Sequence, residues 1–334
     1  MPRPRTLFFG TPAIAVPALR ELQKHTDVVA LVCQPDKPAG RDPTPQPPPT
    51  KRVALELGIP VHQPTKVKTP EFARWVREQE ADAAVVLAYG RILTREVLDA
   101  PRLGCLNLHA SLLPRYRGAA PIQWCIVRGE TETGISLMQM DEGIDTGPVL
   151  ATRRLPIGPE ETAEQLSERM ASLAAEVIRT DVLDALAGKL SPTPQDHAAA
   201  TLAPLLTKEH GRVDWSLPAQ AIHAQVRGFY PWPGAHSACR GKTLKLLETR
   251  VVTEKGVDGD PGTVLEAPRG RLWIACGQGA LSLERGQLEG KKALSGEELL
   301  RGRAVQVGER LGLTRERPRE DPRHPGEEPG QPRR

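Results

Sequence analysis

Through the first half of the chain, short apolar runs alternate with stretches whose hydrophobic residues recur at helical spacing. Residues 6–10, 28–33, 82–88 and 105–109 are each dominated by aliphatic side chains and are too short to be helices. Such runs, separated by helical segments, predict an open, mostly parallel α/β sheet covered on both faces. Thr11 is placed to cap a helix that starts at Pro12 and continues through Leu19 and Leu22. A longer helix is expected from Glu160. There Thr162 and Gln165 have capping-box spacing, Leu166, Met170, Leu173 and Val177 recur on one side, and Gly188 ends it.

Beyond residue 208 the pattern changes. Residues 214–229 contain one helix, and short strand-like runs follow at 242–253, 262–266, 271–276 and 280–288, parted by Gly and Pro as in a small β-barrel. Ser295 and Glu298 open a last short helix. The expected organisation is therefore an open α/β sheet domain at 1–188, a Pro-containing linker at 189–207, a small β-barrel domain at 208–314 and a disordered tail at 315–334. With 334 residues the chain is comfortable for two domains, and its 33 prolines make prominent loops expected.

Charge and cysteine content refine this. Residues 1–207 carry 23 Lys+Arg against 24 Asp+Glu, whereas residues 208–313 carry 16 against 12, so the basic surplus lies in the second half. That distribution fits an anionic partner such as nucleic acid, and equally a merely solvated surface. Cys33, Cys105, Cys125, Cys239 and Cys276 are scattered and form no Cys-x-x-Cys pair, so buried reduced thiols are expected rather than a metal site. With no apolar stretch of about 18 residues and no signal-peptide pattern, a cytoplasmic protein with no membrane span is expected.

Candidate chemistry centres on the fourth run. In a strand, Asn107 and His109 face one side while Leu106 and Leu108 face the other. Two polar side chains at the carboxyl end of a buried strand need partners or a task, and such strand ends are where open α/β sheets bind ligands. An imidazole can serve as acid or base near neutral pH, although a lone strand histidine is more often a satisfied core residue. Downstream, Asp141, Glu142 and Asp145 crowd a glycine-rich turn that could be plain solvated loop or could bring a carboxylate to the imidazole. The turn after the first run, Gly10-Thr11-Pro12, lacks the Gly-x-Gly-x-x-Gly dinucleotide pattern, and the acids lack a metal-ligand pattern.

The run Asn107-Leu-His109-Ala-Ser111-Leu-Leu-Pro114-Arg-Tyr-Arg117-Gly118-Ala-Ala-Pro121, followed by Asp141-Glu-Gly-Ile-Asp145-Thr-Gly147, resembles the signature of the formyltetrahydrofolate-dependent formyltransferases. Gly10-Thr11-Pro12, the segment from Gln34 through Lys37 to Arg41, and Ala88-Tyr89-Gly90 narrow the resemblance to the branch that formylates methionyl-tRNA, across roughly residues 6–313. The resemblance implies a Rossmann-like formyltransferase domain followed by an OB-like barrel, in an enzyme that moves the formyl group of 10-formyltetrahydrofolate to methionyl-initiator tRNA; no metal and a monomer are expected beside it. It implies Asn107, His109 and Asp145 as catalytic residues, and Ser111, Leu112, Leu113 and Pro114 beside the folate. It further implies Arg41, in the loop 35–51, and Lys208 as contacts to the tRNA. This loop departs from the family pattern, because prolines and Asp42 stand where lysines often follow the arginine. The motif 229–234, with Phe229 and Trp232, suggests either base stacking or, more in keeping with its prolines, an apolar turn anchoring the barrel.

Two rivals stand beside this reading. One is a non-catalytic RNA-binding protein on the same scaffold, against which the intact Asn107, His109 and Asp145 speak. The other is a different user of formyltetrahydrofolate, a transferase or hydrolase. Purine-pathway enzymes of this kind generally lack the second domain, and sugar-modifying and dehydrogenase relatives are normally fused to another large enzyme domain.

Overall fold

The computed structural model describes residues 3–39, 42–253, 257 and 259–312, and the chain divides into two compact units. The first comprises the described residues up to Arg212 together with Gln220–Ala235; the second comprises Val213–Ala219 and the described residues from His236 on. The segment 189–207, expected as a linker, thus groups with the first unit, as does most of the helix Ala219–Gly228. The expected tail, 315–334, lies outside the described residues.

The first unit is built on a seven-stranded sheet. Its strands are β1 (Arg5–Gly10), β2 (Asp27–Val32), β3 (Val61–His62), β4 (Ala83–Leu87), β5 (Cys105–His109), β6 (Glu132–Gln139) and β7 (Val149–Pro156). They lie in the order β7-β6-β5-β4-β1-β2-β3. The five from β3 to β5 run parallel, and β6 and β7 are antiparallel additions at one edge. Strand alternation explains the two layers of core. Leu7 and Phe9 of β1 join Phe72, Val76 and Tyr89 on one face; Phe8 joins Leu19, Leu22, Leu166 and Met170 on the other. At the carboxyl end of β1 only glycine fits, because a Cβ on Gly10 would stand 2.7 Å from the Phe8 ring and 3.0 Å from the Leu87 carbonyl oxygen.

The long helix Ala163–Val177 starts as its spacing predicts, with Thr162 and Gln165 forming both halves of the capping box. Leu166, Met170 and Val177 are buried on its inner side, and Gly188, with φ +70°, follows its last turns. The first helix differs from expectation. Pro12 makes no side-chain cap, a 3₁₀ turn covers Ala13–Ala15, and the α-helix runs Val16–His25. The Thr11 hydroxyl instead accepts from the Gln34 amide at 3.2 Å, tying the ends of β1 and β2 together.

The second unit is a curled antiparallel half-barrel. Its strands run His236–Cys239, Lys242–Val251, Ala280–Leu288, Trp273–Ala275 and Val264–Leu265 in spatial order, with Leu294–Ser295 pairing onto the central strand. Register shifts around Glu248 mark where the long strand bends. Leu244, Leu246, Ile274, Leu281 and Leu283 fill its inner side, and the indole of Trp215 donates to Ser237 Oγ at 2.9 Å. Ser295 and Glu298 form a complete capping box on the helix Gly296–Arg301. Phe229 packs against Trp124 and His210, all three within the first unit. All five cysteines are free and buried, and burial pushes each thiol up, to about 11 for Cys33 and Cys239 and about 12 for Cys105, Cys125 and Cys276. Among the described residues no helix is long and apolar enough to cross a membrane.

Candidate active site

Strand β5 sits between β4 and β6, with Asn107 opposite Val86 on one side and Met138 on the other, and His109 opposite Ser136. Leu106 and Leu108 enter the core shared with the long helix, while Cys105 enters the core on the opposite face. Asn107 and His109 therefore continue the Cys105 side beyond the packed layer, at the carboxyl end of the strand. Both are buried, at 9% and 6% exposure. Apolar packing beneath and open loop above is what makes this strand end a site rather than a continuation of the core.

Asp145 reaches the pair from the loop after β6. Its backbone has φ +53°, a left-handed conformation that aspartate tolerates better than most side chains. Asp145 Oδ1 accepts from Asn107 Nδ2 at 3.3 Å. Its Oδ2 accepts from the Gly118 amide at 2.9 Å and lies 3.5 Å from His109 Nδ1. Gly118 has φ +119°, and a Cβ there would stand 2.7 Å from the Ala203 carbonyl oxygen, so the amide can reach the carboxylate only from a glycine. On the far side of the ring, His109 Nε2 is 2.8 Å from the carbonyl oxygen of Tyr116. A carbonyl only accepts, so Nε2 carries a proton in both charge states, and Nδ1 is the atom that gains or loses one. That atom faces Asp145.

The loop after β5 is held by its own polar groups. Ser111 Oγ donates to the Arg115 carbonyl at 2.6 Å, and the Ser111 carbonyl accepts from Ser136 Oγ at 2.8 Å. The same Ser136 oxygen accepts from the Leu113 amide at 3.0 Å. The hydroxyl of Ser111 is thus engaged within the loop, while Leu112, Leu113 and Pro114 are half-buried beside it. Ile92, on the loop after β4, and Ile144, on the loop after β6, leave more than half of their surface exposed. These are apolar groups on the loops that flank β5, the kind of surface a flat aromatic ligand covers.

Two polar residues that complete the site carry no signal in the local sequence. Gln195 lies in the stretch expected as a linker, yet it is buried, and its amide nitrogen donates to the Asp145 carbonyl at 2.9 Å and the Gly147 carbonyl at 2.7 Å. Its amide oxygen accepts from Nε and from one terminal nitrogen of the buried Arg117, at 3.1 and 2.7 Å. Just beyond, Leu202–Ala203 pairs as a strand with Arg117–Gly118, and Thr201 Oγ1 accepts from the Tyr116 amide at 2.9 Å.

Of the other expected contacts, Lys208 is exposed, immediately before the one-turn 3₁₀ helix Glu209–Gly211. Arg41 lies outside the described residues. On either side of it Lys37–Ala39 and Asp42–Gln46 pair as a hairpin. At the base of that hairpin, Lys51 Nζ bonds both oxygens of Asp36 and the amide oxygen of Gln63. Lys51 and Gln63 hold the Asp36 carboxyl below the usual carboxylate range. Among the described residues no group of three His, Cys, Asp or Glu side chains is arranged to hold a metal ion.

A polar strand end above a Rossmann-like sheet, followed by a curled β unit, defines a class that sequence comparison names. Residues 6–182 match the family described as formyl transferase, and residues 205–304 match the formyl transferase C-terminal domain; the chain belongs to this family. It is similar to the methionyl-tRNA formyltransferase of Sorangium cellulosum, 58% identical over 309 residues that span 92% of this chain and 99% of that protein. It is likewise 49% identical to the methionyl-tRNA formyltransferase of Geobacter metallireducens over 308 residues, covering 92% and 98% of the two chains. Among solved structures, an N-formyltransferase from Helicobacter canadensis in complex with folinic acid and dTDP-3-aminofucose shares the fold, with a TM-score of 0.63 at 17% identity over 85% of this chain and 99% of that one. HypX from Aquifex aeolicus, with a TM-score of 0.60 at 19% identity, aligns with 92% of this chain, which spans about half (48%) of that protein.

Proposed function

We propose that this enzyme transfers the formyl group of 10-formyltetrahydrofolate to the α-amine of methionyl-initiator tRNA, working in the cytoplasm as a monomer and without a metal. The observation that carries the proposal is the convergence of Asn107 Nδ2 and His109 Nδ1 on the two oxygens of Asp145 at a strand's carboxyl end. That three-residue arrangement supplies two N–H donors and one carboxylate, the groups acyl transfer needs.

In this reading the amine nitrogen bonds to the formyl carbon, and the bond from that carbon to the folate nitrogen breaks. The electron pair stays on the departing nitrogen, which receives the proton the amine gives up. Between these events the formyl oxygen bears negative charge. Asn107 has one amide hydrogen engaged by Asp145 and a second available for that oxygen. Protonated His109 carries a single hydrogen on Nδ1, shared between Asp145 Oδ2 at 3.5 Å and the formyl oxygen, since Nε2 is committed to the Tyr116 carbonyl. Asp145 balances the imidazolium and takes the proton from the amine, directly or through water. Leu112, Leu113 and Pro114 border the folate, with Ser111 shaping their loop; Arg41 and Lys208 contact tRNA phosphates. The high identity to methionyl-tRNA formyltransferases supports the choice of acceptor.

The test offers purified protein 10-formyltetrahydrofolate with one of four acceptors: methionyl-initiator tRNA, uncharged initiator tRNA, glycinamide ribonucleotide or a dTDP-aminosugar. Formylation of the charged tRNA alone is expected. Transfer to either small acceptor, or none to any, overturns the proposal.

A further inference from the structure

We propose that Gln195 is a positioning residue for the acid at the active site, holding Asp145 in the conformation from which it meets Asn107 and His109. The inference rests on the catalytic reading of Asp145 and extends it to a residue outside both motif loops.

Asp145 occupies a left-handed backbone conformation at φ +53°, which aspartate tolerates better than most residues but which still costs free energy that its surroundings offset. Much of that offset comes from Gln195. One amide group donates to the carbonyls of Asp145 and Gly147, bracketing the turn that aims the carboxylate. Such a two-carbonyl clamp needs an N–H₂ donor, which among uncharged side chains only Gln and Asn offer. The other end of the same amide is immobilised: its oxygen accepts from Nε and a terminal nitrogen of Arg117. Arg117 in turn is buried at 6% exposure and precedes Gly118, whose amide donates to Asp145 Oδ2. Gln195 therefore links the backbone of the acid to the residue next to its hydrogen-bond donor, and fixes the two loops relative to each other. All of these groups lie within the first unit. Because the hydrogen bonds of the amide go to Arg117, Asp145 and Gly147 and not to Asn107 or His109, its effect on the reaction passes through Asp145.

Substitution should then damage turnover more than substrate binding, and only while Asp145 is present. Four enzymes are compared at saturating 10-formyltetrahydrofolate and methionyl-initiator tRNA, with rates normalised to folded protein: the unmodified chain, Gln195→Ala, Asp145→Asn and the double variant. A loop displaced by about an ångström costs on the order of 10- to 100-fold in rate, so Gln195→Ala should lose that much kcat with KM for both substrates little changed. The double variant should be no slower than Asp145→Asn. Gln195→Glu provides an isosteric check, since it keeps the acceptor for Arg117 and turns a carboxylate toward two carbonyls; it should lose kcat to a similar degree. If Asp145→Asn is slow but both Gln195 variants turn over normally, or if the losses multiply in the double variant, the inference about Gln195 fails alone. If Asp145→Asn itself runs at the full rate, the reading of Asp145 fails and the inference with it.

Discussion

His109 shows how one backbone contact narrows a side chain's options. Because Nε2 faces the Tyr116 carbonyl at 2.8 Å, proton exchange is confined to Nδ1, on the side of Asp145 and the open end of the strand. Asn107 is restricted in the same way, with one amide hydrogen directed at Asp145. Removing one donor of such a pair typically lowers kcat by about 100- to 1,000-fold. Asn107→Ala and His109→Ala are each expected to lose that much in formyl transfer. The two together should lose less than the product of the single losses, because in the proposed mechanism both donors serve one oxygen. Single-turnover rates on folded variants check this, and a full rate in either single variant would remove that residue from the mechanism. The thiols stand at the other extreme: burial keeps all five protonated, so none is poised as a nucleophile.

At the scale of elements, the capped helices were the easiest to read. Thr162 accepts from the Gln165 amide at 3.3 Å and Gln165 returns a bond to the Thr162 amide at 3.0 Å, as residue types three apart before an apolar stripe led one to expect. Thr162→Ala should destabilise the first unit by about 1 kcal/mol, visible as a lower denaturation midpoint with formyl transfer per folded molecule unchanged. An unchanged midpoint would mean that tertiary packing of Leu166 and Met170 alone starts this helix. Strand β5 was legible to the residue, since apolar alternation broken by Asn107 and His109 has no helical reading. The first helix was not. Thr11 and Pro12 carry cap chemistry, but the hydroxyl of Thr11 is drawn to the Gln34 amide by the parallel pairing of β1 and β2, a contact 23 residues away in sequence.

For the molecule as a whole, the basic surplus of residues 208–313 bears on how a polyanionic acceptor is held. If Lys208 contacts a phosphate, Lys208→Ala should weaken tRNA use and make it less sensitive to salt. The plot of log affinity against log salt should lose about one unit of slope, with the KM for 10-formyltetrahydrofolate unaffected. A parallel slope would leave Lys208 as a solvated surface charge.

The alternation of short buried strands with helices, the short strands of the second half and the placing of Asn107 and His109 on one strand followed from local chemistry: side-chain periodicity and capping are properties of neighbours along the chain. The resemblance of two motifs added Asp145. What only the tertiary structure decided are contacts between residues far apart in sequence. Gln195, in a proline-bearing stretch that looked like a tether, clamps the backbone of Asp145, 50 residues earlier. Phe229, which looked like part of the barrel, packs against Trp124 of the sheet unit. No local pattern encodes either, because a buried amide or ring acquires its partners from packing, and packing depends on which surfaces the whole chain leaves to be covered.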